Sequence, residues 1–527
     1  MNELAGLGPL ARLVVRRDRV RFATWLAGVF LLVIVTAAST KGLYPTQASL
    51  DSAAKLAETN PVALAFNGPA QALDTIGGQV AFQLGSFGFI VVGLLSVLLV
   101  GRLTRTEEDS GRLELVRSMP VGRRAPLATA LAVVMAVQVL AGALTTAALV
   151  SQGLAVTGSV ALAVSYVAFG LFMLAVTALT AQVAENPRVA TGTAGAVLGV
   201  SFLLRAIGDT GPEWLSWISP MGWAQRMRPY AGERWWPFAL LLVAGLAVLA
   251  GAVRVADARD FGAGVVAPRA GPARASASLG SPVGLAFRLH RGAILWWVVS
   301  VIVLAGAYGA LADSIDDFVR DSPDLEDIIA SVQGASLADS YLATSLLVVA
   351  LLAAGPALQI ALRLRSEETE HRTEMITATP TSRARWMSSH LLVALGAGAL
   401  AVVSGGAALG GAYAATGADA TQVPRLAAAS LVYVPAVWVL TGLAVALFGV
   451  VPRAVAAVWG ALAVCFVIAM FGPILDLPAW ALDISPFQQT PAAPASDVRV
   501  VPIVVLLGIA AVFAGTGLAG FRRREVG

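Results

Sequence analysis

Uncharged, strongly apolar runs of roughly 20 residues recur along the whole of this chain, and about 20 residues is the length an α-helix needs to cross the hydrocarbon core of a bilayer. Twelve such runs fall near 22–40, 80–101, 126–151, 159–181, 190–208 and 236–254, then 292–311, 341–362, 389–414, 426–450, 454–472 and 501–520. In hydrocarbon every backbone N–H and C=O must find its partner within the segment, so runs of this kind fold as helices. Composition agrees. Of 527 residues, 57% are hydrophobic and 13% charged, against about 25% charged in soluble domains, and the mean hydropathy is +0.77. The expectation is an all-α polytopic membrane protein with twelve transmembrane helices, and a soluble enzyme is excluded.

An even number of spans puts both termini on one side. The face owning the termini, the 102–125 and 363–388 segments and the centre of the chain holds 27 of the 36 Lys and Arg residues; the other face holds 9, with 18 of the 32 acids. The positive-inside bias therefore predicts cytoplasmic termini. A cleavable leader over the first span, ending near Ala37-Ala38-Ser39, is the alternative. The net charge of +4 carries no nucleic-acid footprint, and the single Cys465, set in an apolar run, reads as a buried thiol.

An internal repeat organises the chain. Arg105-Thr106-Glu107-Glu108-Asp109 with Arg112, Glu114, Pro120 and Arg123 returns 260 residues later as Arg365-Ser366-Glu367-Glu368-Thr369 with Arg372, Glu374, Pro380 and Arg383. Near an offset of 265, Pro187-Arg188 pairs with Pro452-Arg453, Ile218-Ser219-Pro220 with Ile484-Ser485-Pro486, and Pro237 with Pro502. This gives two homologous six-span halves, 1–255 and 287–527, in parallel orientation with a pathway between them. The 256–286 stretch, rich in Ala, Gly, Pro and Ser, reads as a flexible cytoplasmic linker.

The repeated cytoplasmic segment predicts a short amphipathic helix over Arg105 to Ser118, with Leu113, Val116 and Met119 on one face and Pro120 ending it. Such a helix anchors at the membrane interface or docks on a partner. Two copies on one face suit a two-fold symmetric partner. Glu107, Glu108, Glu367 and Glu368 run against the basic bias of that face; helix capping explains them, and so does pairing with basic groups on a partner or on neighbouring spans.

Several chemistries lack their residues. The only lysines, Lys41 and Lys55, follow Thr40 and Ala54, so no Gly-Lys-Ser/Thr loop exists to bind ATP. Within these boundaries the ionisable residues Arg205, Arg254 and His390 lie close to span ends and Asp476 just beyond one, leaving the middles of the spans uncharged, which weighs against an ion-coupled carrier. No His-Glu-x-x-His run is present, and His290, His371 and His390 fall near the cytoplasmic boundary, where they are expected to be interfacial. No metal-ligating or catalytic set is legible.

The segment from Arg105-Thr106-Glu107-Glu108 through Pro120, with its second copy, resembles the coupling segment of type-two ABC export permeases. Over the whole chain the two fused halves, the Glu-Glu loops and the 34 arginines beside two lysines resemble the twelve-span permeases described as exporters of polyketide antibiotics in high-GC Gram-positive bacteria. The resemblance implies a permease of the bacterial cell membrane that exports hydrophobic or amphipathic small molecules. A separate homodimeric ATP-binding cassette subunit would carry ATP and Mg and dock on the two coupling segments, through Glu107, Glu108, Arg112, Glu114, Glu367, Glu368, Arg372 and Glu374. It also implies that the second and fifth spans of each half line the pathway, which nominates Phe82, Phe87, Phe89 and Phe202, then Tyr341, Trp459, Phe466, Met470 and Phe471. Competing classes are an ion-coupled secondary transporter with two six-helix halves and an assembly subunit without cargo.

Outside the spans, the 41–79 loop is Pro-containing and its counterpart at about 312–340 strongly acidic. Trp214, Trp217, Trp223, Trp235 and Trp236 read as an interfacial belt, with an outer gate as the alternative. Gly195/Gly199 and Gly406/Gly410 are candidates for close helix packing.

Overall fold

A computed structural model describes residues 3–59, 61–260, 262–266, 273–320, 337–471 and 478–524, with backbone alone at 56, 59, 61–62, 313–320, 337, 377, 471 and 479. Among the described residues the chain is helical, apart from one isolated bridge between Ala184 and Val266. It forms two compact units, Met1–Gly271 and Pro272–Gly527.

The long helices of the first unit are α1 (Leu7–Leu43), α2 (Ile76–Asp109), α3 (Ala125–Ser151), α4 (Val156–Val183), α5 (Pro187–Thr210) and α6 (Trp236–Ala258). Those of the second are α7 (Pro282–Arg320), α8 (Leu337–Thr369), α9 (Arg383–Thr416), α10 (Gln422–Val450), α11 (Ala457–Phe471) and α12 (Val500–Arg523). Eleven are long and apolar enough to cross a membrane among the described residues. The expected span at 454–472 is represented by α11, whose 15 residues reach only about 22 Å at 1.5 Å per residue, short of a 30 Å core. Residue 472, at its end, lies outside the described residues, as do most of the acidic 312–340 loop and part of the 256–286 linker.

Burial repeats in order along the two units. In the first, α2 and α4 bury 72% and 78% of their most apolar stretch, and in the second α8 and α10 bury the same 72% and 78%, whereas α1, α6, α7 and α12 bury no more than 22%. The inner helices of each unit are thus its second and fourth. Around α4 pack α2, α3 and α6; in the second unit α9 packs on α7 and α8, and α12 lies against α10.

Close approach depends on a few small residues. Gly85 breaks α2 with φ of +20°, and a Cβ there would meet the Asn67 carbonyl at 2.2 Å. A Cβ at Gly406 or Gly410 would stand 2.6 or 2.4 Å from α10 carbonyls, so that expected packing pair is present; Gly195 and Gly199 face open space and are not packing glycines. Polar groups also bind helices together. Gln138 of α3, fully buried, donates to the Val92 carbonyl and to Ser96 Oγ at 2.8 Å, and Ser96 donates to the Gly170 carbonyl at 2.6 Å.

The helices outrun the sequence-derived spans and carry buried ionisable groups near their ends. Asp18 is buried within α1, and Arg205 within α5. Arg205 meets Asp209 at 3.4 Å, lies over the Phe202 ring at 4.9 Å and donates to the Leu64 carbonyl at 3.3 Å. His290 and His390 are buried as well. Each is 3% exposed, with His290 Nε2 3.2 Å from His390 Nδ1 and the Trp386 ring packed on His390.

Candidate functional site

Beyond the apolar part of α2, a widened π-helical turn at Arg102–Thr106 leads into Glu107–Asp109. Gly111, at φ of +73°, stops the helix, and a separate short helix follows at Arg112–Arg117. The second unit does the same: α8 runs to Thr369, His371 takes φ of +56°, and Arg372–Thr377 forms the short helix. The single helix expected over Arg105 to Ser118 is therefore two helices with a left-handed hinge between them. A non-helical φ at that hinge cannot be continued in an α-helix by any side chain.

The Glu-Glu pair sits on the membrane side of the hinge and is buried. Glu108 Oε2 accepts from Arg105 Nη1 at 2.9 Å and from Arg259 Nη2 at 2.8 Å, while its Oε1 accepts from Arg259 Nη1 at 2.9 Å and from the Gly262 amide at 2.8 Å. Arg105 passes the linkage on, donating to the carbonyls of Glu185 at 2.6 Å and Gly262 at 2.8 Å. The ends of α2, α4 and α6 are thereby fastened together around one carboxylate. Glu107 accepts from Arg17 of α1 at 2.9 Å and lies 3.7 Å from Arg112. Asp18 next to it collects Arg17, Arg21 and Arg102.

The second unit has the same arrangement. Glu367 accepts from Arg363 and Arg372, each at 2.9 Å, and Glu368 from Arg365 at 3.2 Å and Arg524 at 2.5 Å. Arg524 lies over the Phe448 and Phe521 rings at 5.3 and 5.6 Å. Arg259 and Arg524 are the residues that cap the C-termini of α6 and α12, where a cation is favoured by the helix dipole. Arg123 donates to the Asp257 carbonyl at 2.6 Å and Arg383 to the Arg524 carbonyl at 2.8 Å. Arg259 and Arg524 escaped the sequence analysis. They stand 265 apart, the offset that already pairs Pro237 with Pro502, and extending that match past the last span would have found them.

Among the nominated coupling residues the structure thus clusters Glu107, Glu108 and Arg112 within the first unit and, separately, Glu367, Glu368 and Arg372 within the second. Glu114 and Glu374 stay exposed on the short helices, Glu374 2.9 Å from His371 Nδ1. Each short helix also exposes an apolar side chain, Leu115 at 72% and Met375 at 66%, and Met119, just past the first of them, is 51% exposed.

The nominated pathway residues are dispersed. Phe82 is buried beside Ala54 and Leu73. Phe89 packs against Tyr166 and Phe169, and Phe202 against Phe66 beneath Arg205. Tyr341 donates to the Tyr308 carbonyl at 3.0 Å. Phe87, Trp459 and Phe466 are exposed and Met470 half-buried; the Phe471 side chain lies outside the described residues. In the tryptophan group Trp217 and Trp236 stack at 5.8 Å and Arg226 lies 4.1 Å over Trp217, while Trp214 and Trp235 are exposed. Among the described residues no group of three or more His, Cys, Asp or Glu is placed to hold a metal.

Membrane-length helices that end in buried acid–arginine clamps, with short exposed helices beyond, define a multi-pass membrane protein with charged, structured segments at the helix ends. The family model described as multidrug efflux system permease Rv1217c, C-terminal domain, matches residues 7–255 and 279–522. The chain is 36% identical over 520 residues to the multidrug efflux system permease protein Rv1217c of Mycobacterium tuberculosis (strain ATCC 25618 / H37Rv), an alignment covering 98% of this chain and 94% of the relative. The chain belongs to this family of multidrug efflux permeases.

Proposed function

We propose that this protein is the membrane subunit of an ATP-driven exporter of hydrophobic or amphipathic small molecules. On this account it sits in the bacterial cell membrane with both termini cytoplasmic, as two homologous six-span halves, 1–255 and 287–527, joined by the 256–286 linker. A homodimer of a separate ATP-binding cassette subunit, with its ATP and Mg, docks on the 102–125 and 363–388 segments. Family membership supports the efflux role.

The observation that carries the coupling assignment is the duplicated clamp. In each unit a short exposed helix is hinged at a left-handed residue to the end of an inner helix, and the carboxylate at that end is held by the C-terminal arginine of an outer helix. A push on the short helix is therefore delivered to two helices of the unit at once. The exposed Leu115, Met119 and Met375 supply apolar contact for a docking partner.

Co-expression with an ATPase subunit encoded beside this chain tests the assignment. The pair is expected to co-purify, and Leu115→Asp with Met375→Asp to abolish co-purification while the chain stays in the membrane. Undiminished association in the double variant would overturn the docking assignment. A second account, an ion-coupled carrier, gains some support from the buried Arg205–Asp209 pair and the His290–His390 contact. It predicts transport by the chain alone under a proton gradient.

A further inference from the structure

The first unit contains a cavity of about 530 Å³, within the range of about 300–1,000 Å³ typical of small-molecule sites. Its walls differ along its length. Arg117, Arg123, Arg124 and Arg259 line one end, together with Glu108, Asp257 and Asp260; Leu127 and Leu131 of α3 and Leu249 and Val253 of α6 line the other. Leu249 also lines a second cavity, of about 130 Å³, which runs on between α4 and α6 past Leu246 and Leu242 with Met135 at its side. Along α6 the charged mouth thus gives way to apolar walls, with Leu249 shared by the two cavities.

The mouth carries a positive excess. Glu108 is held by Arg105 and Arg259, and Arg124 holds both Asp257 and Glu3, each at 2.6 Å. Arg123 donates to an uncharged carbonyl. With these partners counted, five arginines (Arg105, Arg117, Arg123, Arg124 and Arg259) face four carboxylates (Glu3, Glu108, Asp257 and Asp260), three of which are engaged in ion pairs. At the 260 offset the counterparts of Arg117 and Arg124 are Thr377 and Ala384, and the counterpart of Leu103, another wall residue, is Arg363. The groove is a property of the first unit, not of the repeat.

We propose that this groove binds one anionic phospholipid, with the phosphate at the arginine mouth and an acyl chain along Leu249, Leu246 and Leu242. Guanidinium groups match phosphate oxygens in a forked geometry, and basic pockets between membrane helices on the cytoplasmic side select anionic head groups. A free phosphate would leave the apolar channel unfilled, and a zwitterionic lipid would bring a second cation to a mouth already positive. Because Arg259 and Glu108 line the mouth, the lipid would brace the clamp of this unit, giving the two coupling segments different dependence on the membrane.

The full chain, purified in a neutral detergent, is titrated separately with dioleoyl phosphatidylglycerol, dioleoyl phosphatidylcholine and inorganic phosphate, and the tightest-bound molecule is counted by native mass spectrometry. One phosphatidylglycerol per chain is expected, held at least tenfold more tightly than phosphatidylcholine, a difference of about 1.4 kcal/mol, with no retained phosphate. Arg117→Gln is expected to weaken phosphatidylglycerol about tenfold and Leu246→Trp to weaken both lipids. Equal retention of the two lipids, phosphate binding as tight as phosphatidylglycerol, or unchanged binding in folded Arg117→Gln would overturn the proposal. The three-probe comparison on the unaltered chain decides the matter even where a variant fails to fold.

Discussion

Replacing Glu108 by Gln removes the charge at the centre of the first unit's clamp. The carboxylate is 4% exposed and the Arg259 side chain 12%, so solvent screens their attraction little. Four N–H donors converge on its two oxygens: one from Arg105, two from Arg259 and the Gly262 amide. A glutamine keeps one acceptor oxygen and turns an NH2 group toward guanidinium N–H groups that also donate. Hydrogen bonds to charged groups contribute about 1.5–3 kcal/mol each, and breaking a buried pair by removing one partner costs about 3–5 kcal/mol. Taking about 3 kcal/mol, local opening of the 259–266 segment becomes roughly a hundredfold more frequent. Hydrogen exchange by mass spectrometry reads this at Gly262, whose amide donates to Glu108, and at Val266, whose amide donates to the Val183 carbonyl at 3.1 Å. Glu368→Gln is expected to cost less, because Glu368 accepts from two N–H donors rather than four and one partner, Arg365, is 34% exposed. The exposed Glu114→Gln serves as control. Unchanged exchange at Gly262 and Val266 in Glu108→Gln would refute the clamp.

Other perturbations follow from the same structure. Gly85→Ala places a Cβ against the Asn67 carbonyl at a φ of +20°, and is expected to lower the thermal midpoint in detergent by the equivalent of about 1–3 kcal/mol. Arg205→Met leaves Asp209 with Ser216 as its remaining side-chain partner and strips the Leu64 carbonyl of a donor; a loss of about 3–5 kcal/mol is expected in unfolding by mixed micelles. Tyr230 pairs with Ser159 at 2.8 Å, and burial pushes its phenol up to about 12. A raised value means the folded state holds the proton more tightly, so this contribution is complete below about pH 10 and is lost as pH rises toward 12, which Tyr230→Phe should abolish in a pH-dependent melting series. Cys465 is 3% exposed, so a thiol-reactive dye should label the folded chain slowly and report unfolding of the second unit, where Arg524→Met is expected to accelerate labelling.

The long helices were legible because hydrocarbon leaves a chain few alternatives, and the repeat was legible because charges are scarce enough for seven charged or proline matches at one offset to stand out. Helix ends were less so. Asp18, His290 and His390 lie inside helices that begin before the apolar runs do, since charge density alone does not stop a helix when arginine–carboxylate pairs satisfy it. The hinge at Gly111 and His371 was hidden because the left-handed position is taken by a glycine in one copy and a histidine in the other. Glu107, Glu108, Glu367 and Glu368 were found by their improbable position. Their partners Arg259 and Arg524 were not, being single arginines at span ends where the positive-inside bias already expects them. The aromatic residues carry no spatial signal in sequence, and within each unit their surroundings differ.

The central claim is that energy for transport comes from a separate ATPase acting on the two coupling segments. It is tested most directly in proteoliposomes holding the purified chain with and without the candidate ATPase subunit, by following an amphipathic fluorescent substrate. The account predicts transport only when ATPase and hydrolysable ATP are both present on the coupling side, and its loss in the Leu115→Asp, Met375→Asp double variant. Substrate movement by the chain alone, driven by a proton gradient and indifferent to ATP, would contradict it.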